Sequence, residues 1–201
     1  MMLRRALLAL PCFIMLAACA GSPPARYYTL ATPGTPAPAE SAVPRTVFSL
    51  AVGPVTVPES VDRPQMVVRI GPNELKVSDE HRWAQPLRGE ILRAISLNLA
   101  RLMPQAQVSA YTENAASIAD YRLSLDIQRI EATLGGAVAI EAQWSLRSRE
   151  GTEVHTGHSA ANAETTANTY EALASAYGRA IKSVSRDIAV STELLPDARR
   201  R

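Results

Sequence analysis

The chain has 201 residues, which is enough for one domain, or for one domain with a tail. Its formal net charge of +2 comes from Arg4 and Arg5, because the rest of the chain holds 19 basic and 19 acidic residues. This balance argues against a nucleic-acid-binding protein, since such proteins need an excess of lysine and arginine to displace counterions from phosphates.

Residues 1–18 are predicted to form a lipoprotein signal peptide that is cleaved. Arg4 and Arg5 form its basic region, and residues 6–16 form its apolar region. The apolar region is too short to span a bilayer and Pro11 interrupts it, so a retained transmembrane helix is the weaker alternative. No later segment approaches the length of a membrane span.

The signal peptide leads into LAAC at residues 16–19, which fits the bacterial lipobox of a branched apolar residue, two small residues and a cysteine. Cys12 is lost with the signal peptide, so Cys19 is the only thiol of the mature chain and no internal disulfide can form. A thioether to diacylglycerol requires a thiol, and two or three acyl chains such as palmitate hold a protein on a membrane essentially permanently. We therefore predict lipidation of Cys19, with an ordinary signal peptide and an incidental cysteine as the alternative. Ala20 stands where an aspartate often retains lipoproteins at the inner membrane, and this favours the outer membrane.

The stretch after the lipobox decides how far the domain lies from its anchor. Residues 19–25 form a short lipidated tether, and Tyr27–Leu30 has the composition of a strand. Residues 31–45 contain four prolines and are predicted to form a Pro-rich loop. If Tyr27–Leu30 belongs to the fold, the domain covers 26–196 and only the tether separates it from lipid. If it does not, the whole of 20–45 is a long linker.

Alternation and helical spacing predict the elements of the domain. Strands are predicted at residues 47–52, 66–70, 74–77, 107–111, 121–128, 138–147 and 153–163. Turns at Gly135-Gly136 and Glu150-Gly151 join the last three strands into an antiparallel meander. Helices are predicted over 87–102 and 170–188, the second with a capping arrangement of Asn168 and Glu171. This order predicts an α+β fold, a mostly antiparallel sheet with two main helices packed on one face.

The sequence contains little that indicates catalysis. His155 and His158 are three residues apart in a predicted strand, so they point to opposite faces and cannot chelate one ion. GHSAA at residues 157–161 lacks the last glycine of the G-x-S-x-G elbow, and a strand continues where the elbow needs a sharp turn. No nucleotide-binding glycine loop is present, so we expect no bound nucleotide. We also expect no enzyme activity, cofactor or metal, with a hydrolase that uses a reactive serine as the remaining enzymatic alternative. The basic tail at 197–201 is expected to be solvated.

Two segments carry a resemblance to a known family. Residues 52–69, VGPVTVPESVDRPQMVVR, and residues 82–87, RWAQPL, resemble the signature of the PqiC-type family, the ABC-type transport auxiliary lipoproteins. The lipobox with YYTL at residues 27–30 close behind it is similar as well, so the resemblance covers essentially the whole mature chain. Gln85 replaces the glutamate that is common in the family, and no acid chemistry is assigned to that position.

The resemblance implies a periplasmic lipoprotein, anchored in the outer membrane, that serves as a non-catalytic accessory subunit. The implied partner is an MCE-domain periplasmic protein whose conduit moves phospholipid or other hydrophobic cargo between the membranes and supports envelope integrity. A homo-oligomeric ring is one form that the subunit could take. The alternative is an envelope lipoprotein that activates or assembles a cell-wall synthase or a secretion complex and handles no lipid.

Only Cys19 is carried over from the family as a functional residue. Asp62 and Arg63 before Pro64 suit a fixed turn that leads into a strand, and whether the turn also contacts a partner stays open at this point. The candidate partner contacts are Asp62, Arg63, Pro64, Gln65, Arg82 and Trp83.

Overall fold

The computed structural model describes residues 24–30 and 48–193. The signal peptide, Cys19, most of the tether, the Pro-rich loop and the basic tail lie outside these residues. The strands are β1 Arg26–Tyr28, β2 Phe48–Thr56, β3 Gln65–Gly71, β4 Glu74–Trp83, β5 Ala106–Ala110, β6 Tyr121–Ala132, β7 Ala137–Ser148 and β8 Glu153–Glu164. The helices are α1 Leu87–Leu102, α2 Glu113–Ile118 and α3 Tyr170–Glu193.

The strands form two sheets, ordered β1-β4-β3 and β5-β2-β6-β7-β8. The α+β class is confirmed. The hairpin of β6 and β7 and its continuation into β8 are antiparallel, as predicted, whereas β2 lies parallel to both of its neighbours and β1 lies parallel to β4. Alternation shows which face of a strand is buried but not the direction of its neighbour, and each parallel pair here is separated by a long crossover.

The core lies between the larger sheet and the two long helices, which pack against each other. In β6 and β7 the residues that alternate as apolar face inward, and their polar neighbours form the outer face of the sheet. The apolar stripe predicted for α3 is fully buried at Leu173, Tyr177, Ile181, Val184 and Ile188. No helix in the described part of the chain is long and apolar enough to cross a membrane.

Three local features differ from the sequence predictions. Strand β4 continues to Trp83, six residues past the predicted end. Helix α2 was not predicted, because its six residues are too few to show a helical period. The cap of α3 is Thr169, whose hydroxyl accepts the Ala172 N–H at 3.2 Å, and not Asn168.

The segment close to the tether belongs to the fold. Arg26–Tyr28 pairs with the last residues of β4, and Leu30 is buried in the core. The prediction of a first strand here is confirmed, although the strand covers Arg26–Tyr28 instead of Tyr27–Leu30. The seven residues from Cys19 to Arg26 can therefore span at most about 25 Å.

Asp120 joins the turn before β6 to β2 on the outer side of the sheet. Its carboxylate accepts the Ser49 N–H at 2.8 Å and the Ser49 hydroxyl at 2.7 Å, and Arg149 donates to it at 2.8 Å. The Ser49 N–H lowers the pKa of Asp120 below its ordinary value, and Arg149 lowers it further. A carboxylate with a lowered pKa in the folded state stabilises the protein above its unfolded pKa, and this stabilisation is lost as the pH falls through the folded pKa.

We expect Asp120→Asn to lower the free energy of unfolding at neutral pH by about 1 kcal/mol, because the charged acceptor is lost from a partly exposed site. Urea denaturation of both proteins from neutral to acidic pH checks this. The difference between them should shrink below about pH 4, where aspartate is protonated in the unfolded chain. A difference that stays constant with pH would show that the charge is not what stabilises this turn.

Candidate functional site

The two segments that carry the family resemblance meet in space. We call Asp62–Gln65 together with Arg82–Leu87 the motif corner. The Trp83 N–H donates to the Pro64 carbonyl at 2.7 Å, and Gln65 lies opposite Arg82 in the pairing of β3 with β4. The end of β1 joins the same corner, because the Ala84 N–H donates to the Tyr28 carbonyl at 2.8 Å. Segments that are far apart in sequence thus form one surface.

The D-R-P-Q segment forms a fixed turn, as predicted. The N–H groups of Val61 and Asp62 donate to the Pro58 carbonyl at 3.0 and 3.1 Å, and β3 begins directly after the turn. Arg88, in the first turn of α1, donates to the Asp62 carboxylate at 2.8 Å. The turn is therefore tied to the start of the helix, and its shape does not depend on a partner.

Trp83 differs from the other candidate contacts because it lies in the core. It is 3% exposed, and its ring meets that of Tyr177 edge to face with centroids 5.1 Å apart. The last residue of β4 points inward toward α3, so the indole does not reach the surface. We correct the prediction for this residue and assign it to the packing of the corner.

Glu90 is a residue of this site that the sequence analysis missed. It is fully buried, and its Oε2 accepts the Leu30 N–H at 2.9 Å, which fastens the segment after β1 to α1. The sequence does indicate a special role for Glu90, since it falls three residues after Leu87 and four before Ala94 on the apolar stripe of the helix. An acidic side chain on such a stripe indicates a buried polar contact.

The motif corner also concentrates buried polar atoms that lack a hydrogen bond. Within the described residues five buried side-chain polar atoms have no partner. Three of them are in the motif corner, namely Asp62 Oδ1, Arg63 Nε and Arg82 Nε, and Glu90 Oε1 lies in the helix that follows it. A buried polar atom without a hydrogen bond costs about 1–3 kcal/mol. The corner therefore holds several polar groups to which no described residue supplies a hydrogen bond.

Two cations of the corner are available to an acidic group. Arg63 and Arg82 are half-buried, and neither forms an ion pair with a described residue. Pro64 and Gln85 beside them are exposed. The corner therefore offers one guanidinium group from the turn and one from the end of β4, a residue type that suits recognition of carboxylates.

The histidines lie apart from one another, and only His81, directly before Arg82, is near the corner's cations. His155 is half-buried with its ring 5.4 Å from that of Trp144, and His158 is exposed on the other face of β8. His81 accepts or donates a hydrogen bond with the Tyr28 hydroxyl at 2.8 Å, and burial lowers its pKa. Across residues 24–30 and 48–193, no group of three or more histidine, cysteine or acidic residues could hold a metal ion.

Ser159 of the GHSAA segment is buried in the middle of β8. Its hydroxyl accepts the indole N–H of Trp144 at 3.3 Å. The strand runs straight through this position and does not form the exposed turn that a nucleophilic serine requires. Ser159 and Gly157 therefore serve the packing of Trp144.

A polar depression of about 750 Å³ lies on the outer face of the larger sheet, away from the motif corner. The Thr56 hydroxyl donates to Asp126 within it. The polar side chains that line it are Thr56, Ser124, Asp126, Gln143, Ser145, Glu153, Thr156 and His158. It contains none of the predicted contact residues, and its polarity follows from the outward half of the strand alternation.

Comparison with known proteins places the chain among transport lipoproteins. The family model of the ABC-type transport auxiliary lipoprotein component matches residues 28–189. A crystal structure of a protein from Xanthomonas campestris, of the family model DUF330, is similar at 22% identity with a TM-score of 0.66, covering 84% of this chain and 94% of that one. A crystal structure of an uncharacterized protein is similar at 18% identity with a TM-score of 0.68, covering 85% and 99%. These two structures establish the fold, and no curated protein sequence matches.

Proposed function

Because the chain belongs to the family of ABC-type transport auxiliary lipoprotein components, we propose that it docks the periplasmic conduit of an MCE-type transporter at the outer membrane. Lipidated Cys19 anchors it there, and the subunit acts by binding and not by catalysis. The tether supports this arrangement, since β1 begins only seven residues after Cys19 and keeps the domain near the bilayer.

The observation that carries the proposal is the pair of half-buried arginines at the motif corner, Arg63 and Arg82, which form no ion pair with a described residue. An acidic surface of the MCE-domain partner would pair with the guanidinium groups of Arg63 and Arg82. Ion pairs of this kind fix the register of two proteins and raise their rate of association. The turn and the end of β4 hold the backbone of these two arginines in place before binding, which lowers the entropic cost of association.

We expect Arg63→Glu combined with Arg82→Glu to weaken binding to the purified MCE-domain partner by roughly a hundredfold, since truncating or reversing buried charges at an interface costs several kcal/mol. Titration calorimetry on the two purified proteins measures this. Arg186→Glu is the control for charge reversal, because Arg186 is exposed on α3, nine residues or roughly 13 Å along the helix axis past the Tyr177 that packs on Trp83. Unchanged affinity in the double variant, with an unchanged melting temperature, would contradict the docking role of the corner.

A photocrosslinking residue at exposed Gln85 separates the proposal from its main rival. Recovery of an MCE-domain protein supports it, whereas recovery of a cell-wall synthase or a secretin supports a role in activation or assembly without lipid handling. Crosslinks between two copies of this chain would instead place the predicted homo-oligomer contact at the corner.

A further inference from the structure

The hairpin of β3 and β4 turns at exposed Pro72, Asn73 and Glu74, and exposed apolar side chains flank this turn. We call residues 70–77 the hairpin tip. Ile70, Leu75 and Val77 are 54%, 45% and 39% exposed. Leu75 and Val77 share one face of β4, and exposed Lys76, one of only two lysines in the chain, lies between them in sequence with its side chain on the other face. Three exposed apolar side chains and one lysine are therefore gathered at one end of this hairpin, and such clusters mark interaction surfaces.

The pairing of β1 with β4 places this tip on the side of the tether. Arg26 lies opposite His81 and Tyr28 opposite Trp83, with the two strands parallel. The chain before Arg26 therefore approaches from the end at which β4 begins, and that end is the hairpin tip. Leu75 is six residues before His81, roughly 20 Å along an extended strand, and Cys19 is within about 25 Å of Arg26. The tether is thus long enough for Cys19 and the hairpin tip to reach the surface of the same membrane.

Helix α3 shows which end of the domain lies opposite the hairpin tip. The Tyr170 ring stacks on His81 with centroids 3.8 Å apart, and Tyr177 packs on Trp83, so α3 runs in the same direction as β4. Its last turn, with exposed Val190, is about 30 Å farther along at 1.5 Å per residue. The tether and the hairpin tip share one end of the domain, and Val190 lies at the opposite end.

We propose that the hairpin tip inserts into the interfacial layer of the phospholipid membrane that holds the acyl chains of Cys19. This inference rests on the proposed lipidation. The apolar side chains enter the boundary of headgroups and acyl chains, about 5–10 Å deep, and the Lys76 ammonium reaches lipid phosphates while its stem stays in the apolar layer. A lipid anchor alone leaves the domain free to tilt, whereas the anchor and the tip together hold its orientation.

A fluorescent label at the tip tests the proposal on the lipidated chain. After signal cleavage and lipidation, Leu75→Cys supplies the only free thiol, and an environment-sensitive nitrobenzoxadiazole dye is attached to it. The labelled protein is reconstituted in vesicles of phosphatidylethanolamine and phosphatidylglycerol. We expect blue-shifted emission that nitroxide-labelled lipids quench. Ile70→Cys should give the same result, and it keeps the test available if one variant folds poorly.

Val190→Cys is the matched control, since Val190 is an apolar residue with 59% exposure at the far end. Its label should keep the emission seen in water and escape quenching. Water-like, unquenched emission at Leu75→Cys overturns the proposal. So does a blue shift that lipid nitroxides do not quench and that rises with protein concentration, because a second copy then covers the tip. If the chain without an introduced cysteine takes up dye, Cys19 is free, and the proposed anchor has failed rather than the hairpin contact.

Discussion

Replacing Cys19 by alanine is expected to release the protein from the membrane fraction almost completely. Each buried methylene of an acyl chain contributes about 0.8 kcal/mol, so two long chains contribute on the order of 20 kcal/mol. Fully burying one large aliphatic side chain contributes only about 1.5–3 kcal/mol. The hairpin tip, with three partly exposed apolar side chains, therefore orients an anchored domain but cannot retain an unanchored one.

Fractionation of cell envelopes, followed by a high-salt wash, measures this release. Cys12→Ala is the matched control, because it changes the other cysteine of the chain, within the predicted signal peptide. That variant should remain in the membrane fraction and carry a lipid on Cys19 by mass spectrometry. A Cys19→Ala protein that stays with the membrane after the wash would contradict the anchor and point to attachment through another protein.

The alternation of apolar and polar residues was enough to predict the buried faces of the large sheet. Ile140, Ala142 and Trp144 point inward as expected, because a strand with one buried face can satisfy its pattern in only one way. The pairing partners of the strands could not be predicted from this alternation. The pairing of Arg26 with His81 joins residues 55 positions apart, and no local pattern encodes so distant a contact.

The site was predictable in its location but not in the role of each side chain. The resemblance brought out the two segments that form the motif corner, and the hydrogen bond from the Trp83 N–H to Pro64 shows them in contact. Whether a residue at a strand end points outward depends on what packs there, and Tyr177 of a distant helix places the Trp83 ring in the core. Trp83 and Pro64 both lie in the segments that carry the resemblance, so the resemblance alone could not show that Trp83 is buried and Pro64 is exposed.

Gly157 shows how a motif-like segment can have a purely structural cause. Gly157 lies opposite Trp144 in the pairing of β7 with β8, and the indole covers it. A Cβ at this position would lie 2.1 Å from Cζ2 and 2.5 Å from Cε2 of Trp144. The indole is buried and donates its N–H to Ser159, so it has little freedom to move aside.

We expect Gly157→Ala to lower the free energy of unfolding by about 3 kcal/mol or more, because overpacking a rigid core costs this much when neither group can yield. Gly89→Ala is the matched control. Gly89 lies in α1, and a Cβ there would meet nothing nearer than Gln85 Oε1 at 3.9 Å. That substitution should stabilise the protein by roughly 0.5 kcal/mol, since alanine restricts the unfolded chain more than glycine does. Urea denaturation of each variant gives both values.

The double variant Gly157→Ala with Trp144→Phe identifies the cause of the loss. Phenylalanine lacks the outer ring atoms that the new methyl group would strike, so in the Trp144→Phe background the cost of Gly157→Ala should nearly vanish. In that background Gly157→Ala should change the free energy of unfolding by between zero and about 0.5 kcal/mol in the stabilising direction, because alanine is favoured over glycine inside a strand. The difference between the two backgrounds is the interaction energy of the pair. An equal cost in both backgrounds would mean that the indole is not the reason for a glycine at this position.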